Sequence, residues 1–357
     1  MCIRDRIWIV VGAIFIGGVH DMTSLVASIR HKARSIAEVV RDNMSRRSYI
    51  LFLAFVWLAL VYIIVAFTDV TSSSFLGAMQ SDGYLGINLG NDQIVRGGGV
   101  ATSSLLYLLL PLTMGLLMKY ADLSIGWATI IFLPLVGVSI WVGQFIPLDF
   151  SALFDVSPST AQLIWNVILL VYCVVASVVP MWLLLQPRGH LGGYFLYAVL
   201  AAGALGILFG NFAINYPAFR GFEAEGKGGL PVPLFPMLFI TIACGACSGF
   251  HSIIASGTTS KQLEKETDAQ PVGYGSMLLE AMVAVISLCC VMMLVPDGKD
   301  PLTQPGADPN VVYAKGISNF LNVFGIPIAF GVSFGLMAFT TFVYDTPNAI
   351  GIPNTFK

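Results

Sequence analysis

Glu280 is the only charged residue in the stretch 274–290, Tyr-Gly-Ser-Met-Leu-Leu-Glu-Ala-Met-Val-Ala-Val-Ile-Ser-Leu-Cys-Cys, and no other charge lies within ten positions on either side. An ionised carboxylate in such surroundings is costly, so the group is neutral, paired or hydrated. Taking up and releasing a proton coupled to substrate is the chemistry this permits. The alternative is a carboxylate within two turns of a helix end, reaching for the membrane interface. His251 follows Cys247 by four residues and Ser248 by three, so on a helix the three share one face, with Cys244 one turn further back. An imidazole there suits proton transfer or contact with a carboxylate. It suits equally a histidine hydrogen-bonded to a neighbouring helix.

The segment that carries His251, residues 235–261, begins as an apolar run and then fills with small and hydroxyl residues. Irregular backbone and polar side chains survive at membrane depth only where protein buries them or a cavity hydrates them. Gly245, Ser248, Gly249, Ser256, Gly257, Thr258 and Thr259 are therefore read as lining a substrate-binding or permeation path, with an unwound backbone somewhere between 243 and 259. The small-xxx-small spacings 206–210, 245–249 and 331–335 also serve close helix packing. His20 and Asp21, beside the first apolar run, are candidates for a gate or proton route, or form a plain interfacial helix end. Arg30 stands with Lys32 and Arg34 as a cytoplasmic anchor at that same end.

Other chemistries are disfavoured. Cys244-x-x-Cys247 has the spacing of half a zinc site, but no second pair is found at ligand spacing, so no metal is expected. Ser256-Gly-Thr-Thr-Ser-Lys261 lacks the phosphate-loop pattern, and Thr258, Thr259 or Ser260 is expected to cap the next turn of the chain. No nucleophile, base and acid fall into a recognisable constellation, so the protein is read as no enzyme, with no cofactor. A net charge of −2, with no basic cluster interleaved with aromatics, sets nucleic acid aside.

Helices must position these groups. Hydrophobic residues make up 56% of the 357 and charged residues only 11%, at a mean hydropathy of +0.81, where soluble chains carry about 25% charged residues. This predicts an all-α, polytopic transmembrane bundle. Against the ~20 residues a span requires, the apolar runs are 49–67, 100–118, 123–146, 161–185, 191–212, 235–254, 277–295 and 324–343. These eight come after a short first run, 7–19, read as truncated. Residues 69–74, Asp-Val-Thr-Ser-Ser-Ser, read as an external helix end. Lys and Arg number ten in the loop 20–48 and its alternates, where Lys119, Arg188, Lys261 and Lys265 fall, against five opposite. The loop 20–48 is therefore cytoplasmic. Residues 1–6 read as a non-native leader, 7–345 as a single transmembrane domain and 346–357 as a truncated or aberrant tail, so the chain reads as a fragment.

Two motifs carry a resemblance. Residues 19–38, Val-His-Asp-Met-Thr-Ser-Leu-Val-Ala-Ser-Ile-Arg-His-Lys-Ala-Arg-Ser-Ile-Ala-Glu, and residues 239–261 with Gly273-Tyr-Gly-Ser-Met-Leu-Leu-Glu280 behind them resemble the most recognisable blocks of the carbon starvation protein family. The likeness extends over 7–345. It implies uptake of short peptides or pyruvate-like carboxylates across the inner membrane under carbon starvation. It further implies proton-driven secondary transport and a fold of the amino acid/polyamine/organocation type, with inverted repeats and broken helices. The implied partners are a small substrate, protons and the lipid bilayer. A passive channel or a nutrient-sensing membrane protein is the competing expectation.

Overall fold

In a bilayer, long runs of Leu, Ile, Val, Ala and Phe leave backbone amides and carbonyls no partner but each other, and the helix satisfies all of them within one segment. The computed structural model describes residues 3–76, 78–79, 85–90, 93–180, 182–214, 222–225, 231–293 and 309–350. In chain order the helices are α1 (Ile3–Gly12), α2 (Gly18–Arg30), α3 (Ile36–Asn43), α4 (Arg46–Leu76), α5 (Gly97–Tyr120), α6 (Ile125–Gly143), α7 (Phe150–Phe154) and α8 (Pro158–Val178). They continue with α9 (Leu185–Phe209), α10 (Leu234–Thr241), α11 (Ala243–Ala246), α12 (Gly249–Gly257), α13 (Ser276–Met293), α14 (Pro309–Asn322) and α15 (Ile328–Ile350). Short antiparallel strands sit between α4 and α5 and between α9 and α10, the former at Ala78–Met79, Leu85–Gly90 and Gln93–Arg96. The protein is an all-α polytopic membrane bundle.

Seven segments of the described residues are long and apolar enough to span a membrane: Asp5–Arg30, Arg46–Leu76, Gly97–Tyr120, Ile125–Gly143, Pro158–Val178, Leu185–Phe209 and Glu266–Met293. Two departures from the expected spans stand out. The first run is not short, because the helix carries His20 and Asp21 inside it and continues to Arg30. The run 235–254 is not one span but three pieces, α10, α11 and α12. Of α15, the described residues contribute the apolar stretch Ile328–Thr341. Residues 69–74 lie in the last two turns of α4, which ends at Leu76. The hydroxyls of Ser72, Ser73 and Ser74 bond back to carbonyls of Asp69 and Val70 in those turns.

The chain divides into two compact units, Met1–Ala59 with Ala213–Asp300, and Leu60–Phe212 with Pro301–Lys357. In the first, two wide turns meet. A π-helical turn at Ala13–Gly17 joins α1 to α2, and another at Gln270–Gly275 leads into α13. The Tyr274 hydroxyl in the second donates to the Ile14 carbonyl in the first at 3.0 Å. Two glycines set the close approach: a Cβ on Gly17 would lie 2.6 Å from the Ala246 carbonyl oxygen, and one on Gly273 would lie 2.9 Å from Met22 Cα. Ile9, Ala13, Met277, Ala281, Leu288 and Met292 form the apolar core beneath them. Residues 3–6, within the stretch read as a leader, are part of α1, and Arg6 reaches the Met292 sulfur at 3.1 Å.

In the same unit, the connection after α2 is tied to the far end of α12. Ser28 Oγ lies 2.7 Å from the Ser256 carbonyl and 2.9 Å from Ser260 Oγ, and the Ile36 amide donates to Ser256 Oγ at 2.9 Å. Ser35 and Glu38 cap α3 reciprocally.

In the second unit α14 packs closely on α15. A Cβ on Gly331 would meet Ser318 Oγ at 2.7 Å and one on Gly335 would meet Ala314 Cα at 2.9 Å, the close packing expected of that small-xxx-small pair.

Candidate functional site

The break between α11 and α12 is local backbone chemistry. Cys247 (φ −162°, ψ 91°) and Ser248 (φ −77°, ψ 103°) are extended, so the helix that ends at Ala246 restarts at Gly249 on a new line. The first amides of a restarted helix have no earlier turn of their own helix to donate to, and here no side chain caps them. Gly249 faces open space, as does Gly257, whereas Gly245 packs against Ala284, where a Cβ would lie 2.7 Å away.

His251, two residues into α12, sits between two carboxylates from other elements of the same unit. Its Nδ1 lies 2.6 Å from Asp21 Oδ2 on α2, and its Nε2 lies 2.7 Å from Glu280 Oε2 on α13. The second Asp21 oxygen lies 2.9 Å from His20 Nδ1. The second Glu280 oxygen accepts from the Cys244 thiol at 3.3 Å, and that sulfur lies 3.8 Å from Ser248 Oγ. The result is one line of groups, His20, Asp21, His251, Glu280 and Cys244. Asp21 is its buried member, 2% exposed. Its members His20, His251 and Glu280 are partly exposed, with side chains 38%, 29% and 29% accessible.

These distances call for a proton in each gap. Each gap beside His251 needs one hydrogen, since a carboxylate oxygen and an unprotonated ring nitrogen are both acceptors. An imidazolium between two carboxylates supplies two, and so does a neutral imidazole beside one protonated carboxyl. Either way the three groups hold two protons and a net charge of −1. Losing one brings bare acceptors together at 2.7 Å or less, and gaining one makes the set neutral.

The other residues singled out in the sequence are placed differently. Ser256 is fully buried in the Ser28–Ser260 cluster rather than at the break. Thr258 and Thr259 lead into a short 3-10 turn over Thr259–Lys261, and Thr258 makes no side-chain cap there, contrary to the capping expected; Ser260 instead bonds the Ser256 carbonyl at 3.0 Å. Arg30 is exposed and pairs with Glu266 at 2.8 Å. Nothing in the sequence connects Asp21 with His251. They are 230 residues apart, and the sequence offers only that each is a candidate for proton transfer, Asp21 beside the first apolar run and His251 within the run 235–254.

The profile of the family described as "Carbon starvation protein CstA" matches residues 4–308. A protein named "Peptide transporter CstA" from Bacillus subtilis (strain 168) is 33% identical over 294 residues, covering 81% of this chain and 45% of that one. One of the same name from Mycobacterium tuberculosis (strain ATCC 25618 / H37Rv) is 34% identical over 296 residues, covering 81% and 36%. The "Pyruvate/proton symporter BtsT" of Escherichia coli (strain K12) is 31% identical over 294 residues, covering 81% and 38%. The chain thus spans less than half the length of these relatives. No solved structure matches it.

Proposed function

Because the chain belongs to the carbon starvation protein family, we propose that it is a secondary transporter that takes up pyruvate-like carboxylates or short peptides across the inner membrane, driven by protons, under carbon starvation. The observation that carries this reading is the line His20–Asp21–His251–Glu280–Cys244 beside a helix break. Relatives named as a peptide transporter and as a pyruvate/proton symporter support the substrate class and the coupling ion.

Coupling then has a simple electrostatic form. With two protons the Asp21–His251–Glu280 set carries one negative charge and repels a substrate carboxylate. A third proton, entering through Glu280 or His20, removes the repulsion, and at an effective dielectric near 20 a unit charge at about 4 Å is worth about 4 kcal/mol. Proton and anion therefore bind together, and each raises the affinity for the other by the same factor. Ser248, Gly249 and the first amides of α12 offer donors to the substrate carboxylate, at the positive end of the helix.

The test is uptake of labelled pyruvate and of a labelled dipeptide into proteoliposomes with and without an imposed pH gradient, acid outside. Accumulation above the external concentration is expected only with the gradient. Uptake that merely equilibrates, whatever the gradient, means a passive channel instead.

The count of Lys and Arg supports placing the 31–35 connection in the cytoplasm. A membrane-impermeant maleimide is accordingly expected to label Lys32→Cys only after cells are permeabilised. Labelling from outside intact cells reverses the orientation.

A further inference from the structure

In the first unit, the stretch from the end of α2 to the start of α4 gathers positive charge. Residues 30–47 hold Arg30, Lys32, Arg34, Arg41, Arg46 and Arg47 against Glu38 and Asp42. Neither acid is free. Asp42 accepts from Arg34 at 3.1 Å and lies 3.6 Å from Arg41, Glu38 caps α3, and Arg30 pairs outside the stretch with Glu266. Lys32, Arg46 and Arg47 are exposed and make no ion pair among the described residues.

What Arg46 and Arg47 face follows from the helix they open. α4 begins at Arg46, and none of residues 46–59 is buried. Ile50, Leu51, Phe55, Trp57 and Leu58 are each more than half exposed. At about 100° per residue these five cover nearly half the circumference of α4. In a membrane span such a face meets acyl chains. Arg46 lies one turn before Ile50 and Arg47 one turn before Leu51, so both project on this lipid side. At 1.5 Å per residue each stands about 6 Å along the axis from its apolar neighbour, which is about the depth of the headgroup layer on one face of a bilayer. No acid follows on α4 before Asp69.

α3 continues the pattern. Ile36, Val39 and Val40 make one stripe of it, Glu38, Arg41 and Asp42 the other, and none of its residues is buried. Met44, between α3 and α4, is 56% exposed. A short two-faced helix leading into a lipid-facing span has the form of an interfacial segment.

We propose that the corner at Met44–Arg47 binds the headgroup of an anionic phospholipid, with Arg46 and Arg47 on its phosphate and Met44 and Leu51 along its tails. Charge selects the lipid. A zwitterionic headgroup brings its own ammonium, whereas each Lys or Arg near a membrane surface raises affinity for anionic lipid about fivefold. None of these residues belongs to the Asp21–His251–Glu280 line, and the inference stands whether or not the chain transports.

The experiment titrates the full chain, purified in a nonionic detergent, with dioctanoylphosphatidylglycerol and with dioctanoylphosphatidylcholine, which has the same tails and no net charge. Lipid bound per protein, by native mass spectrometry, and the thermal unfolding midpoint are read together. Phosphatidylglycerol is expected to bind and raise the midpoint, and to do so less as salt screens the exposed arginines. Phosphatidylcholine should bind at least tenfold more weakly. Arg46→Gln combined with Arg47→Gln should cost about thirtyfold in phosphatidylglycerol affinity, a factor of about five for each charge. Because both side chains are exposed, the lipid-free midpoint should not move. Arg46→Lys with Arg47→Lys keeps the charge and should keep most of the affinity. If the double glutamine variant fails to fold, Arg47→Gln alone stands in, with about a fivefold loss. Equal binding of the two lipids, parent-like phosphatidylglycerol affinity without the arginine charges, or displacement of the lipid by an equal concentration of glycerol phosphate, which means a site for soluble anions, would each overturn the proposal.

Discussion

Glu280→Gln is expected to abolish accumulation of substrate above equilibrium while leaving the protein folded. The amide has the shape of the carboxylic acid. Its oxygen can accept from His251 Nε2, which lies 2.7 Å from Glu280 Oε2. What is lost is titration: the line can no longer move between two and three protons at that end, so a pH gradient has nothing to act on. Exchange of labelled for unlabelled substrate at equal pH should persist, because that half of the cycle need not release the proton. Glu280→Asp keeps the charge but withdraws it by one methylene from an imidazole already at contact distance, and intermediate accumulation is expected. Parent-like accumulation by Glu280→Gln, with the parent's pH dependence, would make the residue an interfacial anchor and remove it from the coupling scheme.

Asp21→Asn should cost the most stability of any substitution in the line. Asp21 is the buried member, with one oxygen on His20 and the other on His251. Removing one member of a buried ionic set leaves its partners uncompensated, typically at about 3–5 kcal/mol. The exposed pair Arg30–Glu266 is the internal control, since its members are 70% and 52% accessible and Arg30→Gln should cost about 1 kcal/mol or less. Thermal or denaturant unfolding in one detergent compares the two directly. If Asp21→Asn unfolds no more easily than Arg30→Gln, the buried carboxylate is not the electrostatic centre of the site.

Much of the fold was legible because hydropathy and the length of a bilayer leave few alternatives. The runs 100–118 and 123–146 match α5 and α6 with little adjustment. The break at Cys247–Ser248 was legible as well, since small and hydroxyl residues cluster where the backbone leaves the helix. Glu280 and His251 announced themselves as polar groups in apolar company. Asp21 stands out too, as a candidate for a gate or proton route, but its pairing with His251 does not. The sequence ends the first run there because His20–Asp21 interrupts hydropathy, yet a polar pair continues a helix when another chain segment neutralises it. Arg188, counted among the cytoplasmic charges of a connection, lies in the first turn of α9 and is buried, with the Tyr172 hydroxyl as a partner. Long-range pairing of this kind leaves no trace in local composition.

The wide turn between α1 and α2 has a consequence for any helical-wheel drawing of that segment. A π turn accommodates one residue more than an α turn, and each residue of an α-helix advances about 100°. Side chains beyond Gly17 are therefore offset by about that angle from where an unbroken α1 would aim them. Asp21 lies four residues past that turn. Its carboxylate thus points along a direction that a continuous wheel assigns to a neighbouring residue. The turn behaves as a one-residue insertion retained in the fold, which leaves α1 in its own packing register while α2 turns its acid onto His251.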